Sequence, residues 1–218
     1  MSNTSDEVLT LERADDGEAT LAERAFSIVG SMILDGDLAP GEVINEADMA
    51  RRLSMTRGPV REALLRLEGR KLITREAYQR ARVVELGPRQ MKEIFEFREG
   101  VESVACRLAT LNMSDESLLA LEARLEAKKL GQDPGFDLHW EVASACGNTR
   151  VAKTLCDEIY HLVRMYRRRS VTNPQRPEES YAEHRHIVRA MLARDAELAE
   201  SRMRMHIRVA ASNLANLL

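Results

Sequence analysis

The sequence predicts a mainly α protein in two modules: an N-terminal helix-turn-helix with a small β hairpin, then an antiparallel all-α bundle of about six helices. Three observations lead there. Residues 45–72, NEADMARRLSMTRGPVREALLRLEGRKL, read as two short helices broken by a tight turn at Leu53-Ser54-Met55. Leu86-Gly87-Pro88 punctuates the chain, and Pro88 suits the first turn of a new helix, where its missing N–H costs nothing. Beyond Pro88 no alternating strand pattern appears, and apolar residues recur at helical spacing.

Residues 1–20 are rich in Ser, Asp and Glu with little periodicity, which predicts a mobile tail. From Leu21 the positions Leu21, Ala25, Ile28, Val29, Met32 and Ile33 recur at helical spacing, and Gly36 ends the run as a C-cap. Pro40-Gly41 makes a turn, Val43-Ile44 a brief strand, and Asn45 with Asp48 three residues on a helix start. Met49, Ala50 and Leu53 form the apolar side of that helix.

The next helix opens with Thr56 as N-cap and Pro59 in its first turn. At about 100° per residue, Val60, Ala63, Leu64 and Leu67 share one arc, while Arg57 and Arg61 project from the other side. Then ITREAYQRARVVEL holds two strand-like runs joined near Tyr78-Gln79. Past the Gly-Pro break, six helical runs are expected at about 88–111, 114–130, 136–146, 149–170, 177–194 and 195–217. The breaks between them are polar or carry Gly or Pro, as at Gly131–Gly135, Gly147-Asn148 and Thr172-Asn173-Pro174.

Arginines near the N-terminus of the second helix stand where major-groove recognition places its readers. A guanidinium matches guanine O6/N7 and phosphate oxygens bidentately. Arg57 and Arg61 are the candidate readers, Gly58 lets the backbone approach closely, and Arg51, Thr56 and Arg80 flank them. The alternative is an amphipathic helix with a solvated basic face. Charge distribution bears on the choice: residues 47–82 hold ten basic against four acidic side chains, net +6, which leaves −9 on the rest of a chain whose total is −3. A basic module joined to an acidic one fits DNA binding by one part and a different task for the other.

With 44% hydrophobic and 31% charged residues, the 218-residue chain is globular rather than disordered. Cys106, Cys146 and Cys156 lack metal-ligand spacing and are expected as reduced core thiols. No apolar run approaches the roughly 18 residues that a membrane span needs, and the N-terminus is polar and acidic, so no membrane partner and a cytoplasmic location are expected.

PGEVINEADMARRL followed by TRGPVREALLRLEGRKLI resembles the winged-helix N-terminal domain of the GntR family of bacterial transcription regulators over residues 21–86. The order and spacing of the later helices are similar to the effector-binding and oligomerisation domain of the FadR subfamily, of the FCD type, over residues 88–218. The resemblance implies a winged helix-turn-helix that binds operator DNA as a homodimer, with the hairpin as the wing in the minor groove. Relatives carry Gly at the wing tip, where this chain has Arg80-Ala81, and Gly before the first wing strand, where it has Lys71.

In the family's second domain a small organic acid binds, often through a divalent metal held by one Asp and three His. The matching histidines are His139, His184 and His206, each on a different expected helix. The family's Asp position is Gly135 here, and Asp137, two residues before His139, could ligate only if the helix begins after it. Three neutral ligands would favour a transition ion such as zinc or nickel over a hard cation. The alternative makes these histidines hydrogen-bonded polar core groups. Arg98 occupies the position of a cavity-facing arginine suited to a carboxylate effector, its alternative being a surface pair with Glu102. His161, His186 and RMYRRR at 164–169 carry no assigned site.

The expectation is thus a regulator, more naturally a repressor, controlled by a small carboxylate and not an enzyme. Its rivals are a metal-dependent enzyme using the three histidines with an open position, and a constitutive DNA-binding dimer without an effector.

Overall fold

A computed structural model describes residues 19–76, 79–133, 135–169 and 175–215. Most of the expected N-terminal tail, the hairpin tip at Tyr78 and the break Thr172-Asn173-Pro174 lie outside these residues. The chain divides into two compact units, Met1–Leu86 with His161–Arg168, and Gly87–Tyr160 with Arg169–Leu218. No described helix is long and apolar enough to cross a membrane.

In the first unit, α1 (Leu21–Asp35) starts from a reciprocal cap. Thr20 Oγ1 accepts from Glu23 N, and the Glu23 carboxylate accepts from Thr20 N at 2.7 Å. Its inward side is Ala22, Ala25, Phe26, Val29, Met32 and Ile33; Leu21 and Ile28, expected in that stripe, are exposed, with Phe26 and Ala22 in their place. The true stripe is offset around the helix because Phe26, not Ile28, points toward α3 (Arg57–Gly69), whose Arg66 guanidinium lies 4.6 Å above the Phe26 ring. On α3 the expected arc, Val60, Ala63, Leu64 and Leu67, is fully buried.

Between them, α2 (Glu46–Arg52) is capped by Asn45 Oδ1, which accepts from Ala47 N at 2.9 Å. The helix ends in a left-handed Ser54 (φ +54), with Ser54 N donating to Arg51 O and Met55 N to Ala50 O, so the tight turn is a Schellman motif. The same device closes α3: Lys71 takes φ +59, with Lys71 N to Glu68 O and Leu72 N to Leu67 O. Lysine therefore occupies the left-handed position before the wing that glycine fills more cheaply.

Three short antiparallel strands follow the order β1 (Val43–Ile44), β3 (Ala81–Val83), β2 (Ile73–Thr74), with Val43 opposite Arg82 and Ile73 opposite Val83. Inward Ile44, Ile73, Ala81 and Val83 alternate with outward Val43, Thr74 and Arg82, which is the period-two pattern of a half-buried sheet.

The second unit is an antiparallel helical bundle of α4 (Pro88–Asn112), α5 (Asp115–Lys129), α6 (Leu138–Ala145), α7 (Thr149–Lys153), a π-helical turn (Thr154–Ile159), α9 (Arg176–Leu192) and α10 (Ala196–Ala215), while α8 (Tyr160–Arg169), which continues the π-helical turn, belongs over His161–Arg168 to the first unit. The single run expected at 149–170 is thus a helix interrupted by a wider turn. α4 packs along α10 and against α6, and α9 packs against α5 and α10. Phe95, Ala105, Cys106 and Ala109 of α4 meet a core that includes Ala199, Met203 and Ile207 of α10 and Ile187 and Met191 of α9. All three cysteines are free and buried, and burial pushes the Cys106 and Cys156 thiols up to about 12, so they are inert core groups.

Candidate nucleic-acid interface and histidine centre

The turn at Ser54 aims the N-terminus of α3 outward. Thr56, Arg57, Gly58 and Arg61 are all exposed there, and Val60, Ala63 and Leu64 anchor the opposite side. Thr56 is the N-cap in extended backbone, but its side chain makes no cap hydrogen bond among the described residues, so the hydroxyl is left to face solvent. Arg51 is exposed at the end of α2 and pairs with Asp48.

Arg57 also lines a cavity of about 290 Å³ together with Asn45, Glu46, Arg75, Gln79 and Arg80, bringing the start of α2, the start of α3 and the wing around one polar hollow. Arg80 is exposed at its rim. The sequence reading passed over Arg75, whose guanidinium sits 3.4 Å from Glu46 and 3.9 Å from Glu68 and so braces the wing against both helices. Its only sequence signal was its place among the basic residues of this module.

In the bundle, α6, α9 and α10 bring together His139, His184 and His206. The Nε2 atom of His206 lies 3.2 Å from His184 Nε2 and 3.2 Å from His139 Nε2. His139 and His206 are buried; His184 is partly exposed, so the centre is reached from its side. Each of the two buried rings turns its other nitrogen to a carboxylate: His139 Nδ1 is 2.7 Å from Glu102 Oε2, and His206 Nδ1 is 2.5 Å from Glu183 Oε2. Both carboxylates are gripped in turn by arginine. Arg98 donates to Glu102 at 2.5 and 3.3 Å, and Arg176 to Glu183 at 2.8 and 2.9 Å.

Burial alone would raise the Glu102 carboxyl, but Arg98 and His139 overcome it and hold it at about 2. Burial likewise opposes, and His206 and Arg176 outweigh it, at Glu183, also held at about 2. Burial pushes His206 down to about 4 against the pull of Glu183, so its ring is neutral at pH 7, as a metal ligand must be.

The donor set fits a transition ion. A carboxylate stands at Nδ1 of His139 and of His206, which turns the Nε2 atoms toward one another, and the tautomer that donates from Nδ1 offers its Nε2 lone pair to an ion. Tetrahedral ligands at zinc–nitrogen bond lengths stand about 3.3 Å apart, close to the two 3.2 Å separations. Gly135 lies in an exposed turn before α6 and offers no ligand. The helix does begin after Asp137, yet that carboxylate caps it by accepting from His139 N at 3.0 Å and stands outside the histidine group. Arg98 is paired with Glu102, as the alternative had it, but the pair is buried and not on the surface. Glu102, Glu183 and Arg176 were missed from sequence. For Glu102 the signal was its place four residues after Arg98; the other two gave none. His186 is exposed, and His161 is buried in the first unit with Arg70 Nη1 3.4 Å from its Nε2.

The model of the "Bacterial regulatory proteins, gntR family" matches residues 21–83, and that of the "FCD domain" matches residues 93–209. The uncharacterized HTH-type transcriptional regulator YdhC of Bacillus subtilis is 26% identical over 203 residues, 88% of this chain and 90% of its own. The HTH-type transcriptional repressor GlaR of Escherichia coli K12 is 27% identical over 192 residues, covering 80% and 87%. The solved structure of E. coli McbR/YncC shares the fold with a TM-score of 0.76 at 22% identity, over 92% of this chain and 99% of that one. A putative GntR regulator from Rhodococcus sp. RHA1 does so at 0.71 and 18%, over 90% and 98%. These relatives are transcription regulators, which sets aside the metalloenzyme reading. The chain belongs to the GntR family of bacterial transcription regulators, in the branch whose winged helix-turn-helix is joined to an FCD effector domain.

Proposed function

We propose that the chain is a cytoplasmic, homodimeric repressor in which residues 21–86 bind operator DNA and residues 88–218 dimerise and bind a small carboxylate that releases it. Arg57 and Arg61 read base edges, while Arg51, Thr56, Gly58 and Arg80 hold the phosphate backbone and the adjoining minor groove. The name of GlaR supports repression rather than activation.

The observation that carries the effector reading is the convergence of three imidazole Nε2 atoms backed by two ionised carboxylates. His139, His184 and His206 would hold a divalent transition ion, zinc or nickel, and the ion supplies a Lewis-acidic position for a carboxylate oxygen. Arg98 meets the acid with Nη1, the guanidinium nitrogen that does not hold Glu102. A ligand that binds the folded protein stabilises it in proportion to its saturation.

The test is elemental analysis of untagged protein, followed by a thermal-shift screen of small mono- and dicarboxylates and a DNA-release assay with each hit. Zinc or nickel near one per chain, and an acid that both stabilises the protein and releases DNA, are expected. Absence of metal together with absence of any stabilising acid would leave a constitutive DNA-binding dimer and overturn the sensor reading.

A further inference from the structure

The two buried histidines are each the end of a three-member chain, Arg98–Glu102–His139 from α4 to α6 and Arg176–Glu183–His206 from α9 to α10. The chains share chemistry but no residue, and they approach the centre from different helices. In each, two arginine donors fix the plane of the carboxylate, and the carboxylate fixes the tautomer and rotation of the imidazole. An imidazole held at Nδ1 by a carboxylate aims its Nε2 away from that carboxylate, and here the two Nε2 atoms stand 3.2 Å apart.

We infer that Glu102 and Glu183 are positioning residues for a divalent ion at the histidine centre, setting its affinity by orienting His139 and His206. The inference rests on the proposed reading of that centre as a metal site. It adds that affinity resides as much in two residues that never touch the ion as in the ligands themselves. Arg98 and Arg176 hold the carboxylates in place, so the chains act as two struts converging on one point.

The experiment uses the full chain, with zinc affinity measured by competition with a chromophoric chelator and ligand geometry read from the visible spectrum of the cobalt-loaded protein. Glu183 is half-buried and the easier site to alter, so Glu183→Gln is the first variant and Glu102→Gln the second. Thermal unfolding without metal reports whether each has folded. Each should weaken zinc binding about 10–100-fold and alter the cobalt spectrum. Glu183→Asp, which restores a carboxylate acceptor for His206, should recover part of the affinity, which a merely structural role would not produce. His184→Ala, which removes a ligand, should abolish the spectrum. Wild-type affinity and spectrum in folded Glu183→Gln and Glu102→Gln would overturn the inference and leave the metal site standing. A wild-type chain that takes up neither zinc nor cobalt would overturn the metal site, and the inference with it.

Discussion

Replacing Lys71 by Gly should stabilise the N-terminal unit, whereas replacing Arg194 by Gly should destabilise the bundle, although the two residues occupy the same backbone position. Each is the left-handed residue of a Schellman motif, with φ +59 at Lys71 and +58 at Arg194. The bonds match as well: Leu72 N to Leu67 O at 3.1 Å in one, Asp195 N to Ala190 O at 3.1 Å in the other. A side-chain-bearing residue in this region costs about 1–2 kcal/mol, and the greater unfolded freedom of glycine takes back about 0.5–1 kcal/mol. The backbone gain is therefore about 0.5–1 kcal/mol at either site. Lys71 is exposed and makes no ion pair among the described residues, so nothing offsets the gain. Arg194 donates to Thr110 O and Met113 O, both at 2.7 Å at the end of α4, and pairs with Asp115. Charge-assisted bonds contribute about 1.5–3 kcal/mol in buried settings, and with Arg194 more than a third exposed we take about 2 kcal/mol for the set. The net for Arg194→Gly is a loss of about 1 kcal/mol. Urea unfolding followed by circular dichroism checks both, with unchanged slopes and midpoints moving in opposite directions. Midpoints that move together, or a Lys71→Gly midpoint that falls, would refute the reasoning.

Burial, then the charges of Arg70 and Arg164, push His161 down to about 3. Between that value and its ordinary 6.5 the unfolded chain binds the proton and the folded chain does not, so its contribution is complete above about pH 6.5 and fades as pH falls. At pH 5 the loss is about 2 kcal/mol, and His161→Gln should show a correspondingly shallower decline in urea midpoint from pH 7 to pH 5. Sedimentation of the full chain should find a dimer, and a monomer at tens of micromolar would contradict the two-fold operator model. Operator affinity should fall steeply with salt, and Arg80→Ala should lower both the affinity and the salt slope without changing sequence preference, as loss of a phosphate contact does.

The helices were legible because their signals are local: the Val60–Leu67 arc, the Gly36 cap, the Asn45 cap and Pro88 each act within a turn or two. The strands were legible from alternation of a few residues, Ile73 and Val83 inward against Thr74 and Arg82 outward. Failures came where a partner lies far along the chain. Leu21 and Ile28 fit a helical stripe as well as Phe26 does, and only packing on α3 decides between them. The three histidines could be picked out by resemblance, but their carboxylate partners could not. Glu183 precedes His184 by one residue yet serves His206, twenty-three residues away, because successive positions on a helix point about 100° apart. Lys71 shows the opposite limit, where the residue type argued against a conformation that the α3 cap nonetheless imposes.

The central claim, that the exposed start of α3 reads DNA sequence, is tested most directly by selecting bound duplexes from a random pool with the wild-type chain and with the Arg57→Ala/Arg61→Ala chain at equal salt. Each arginine in contact with a base should be worth on the order of 1–3 kcal/mol of discrimination. The wild type should enrich one two-fold symmetric sequence, and the double variant should enrich none while keeping weak, salt-sensitive binding. Enrichment of the same sequence by both chains would contradict the account.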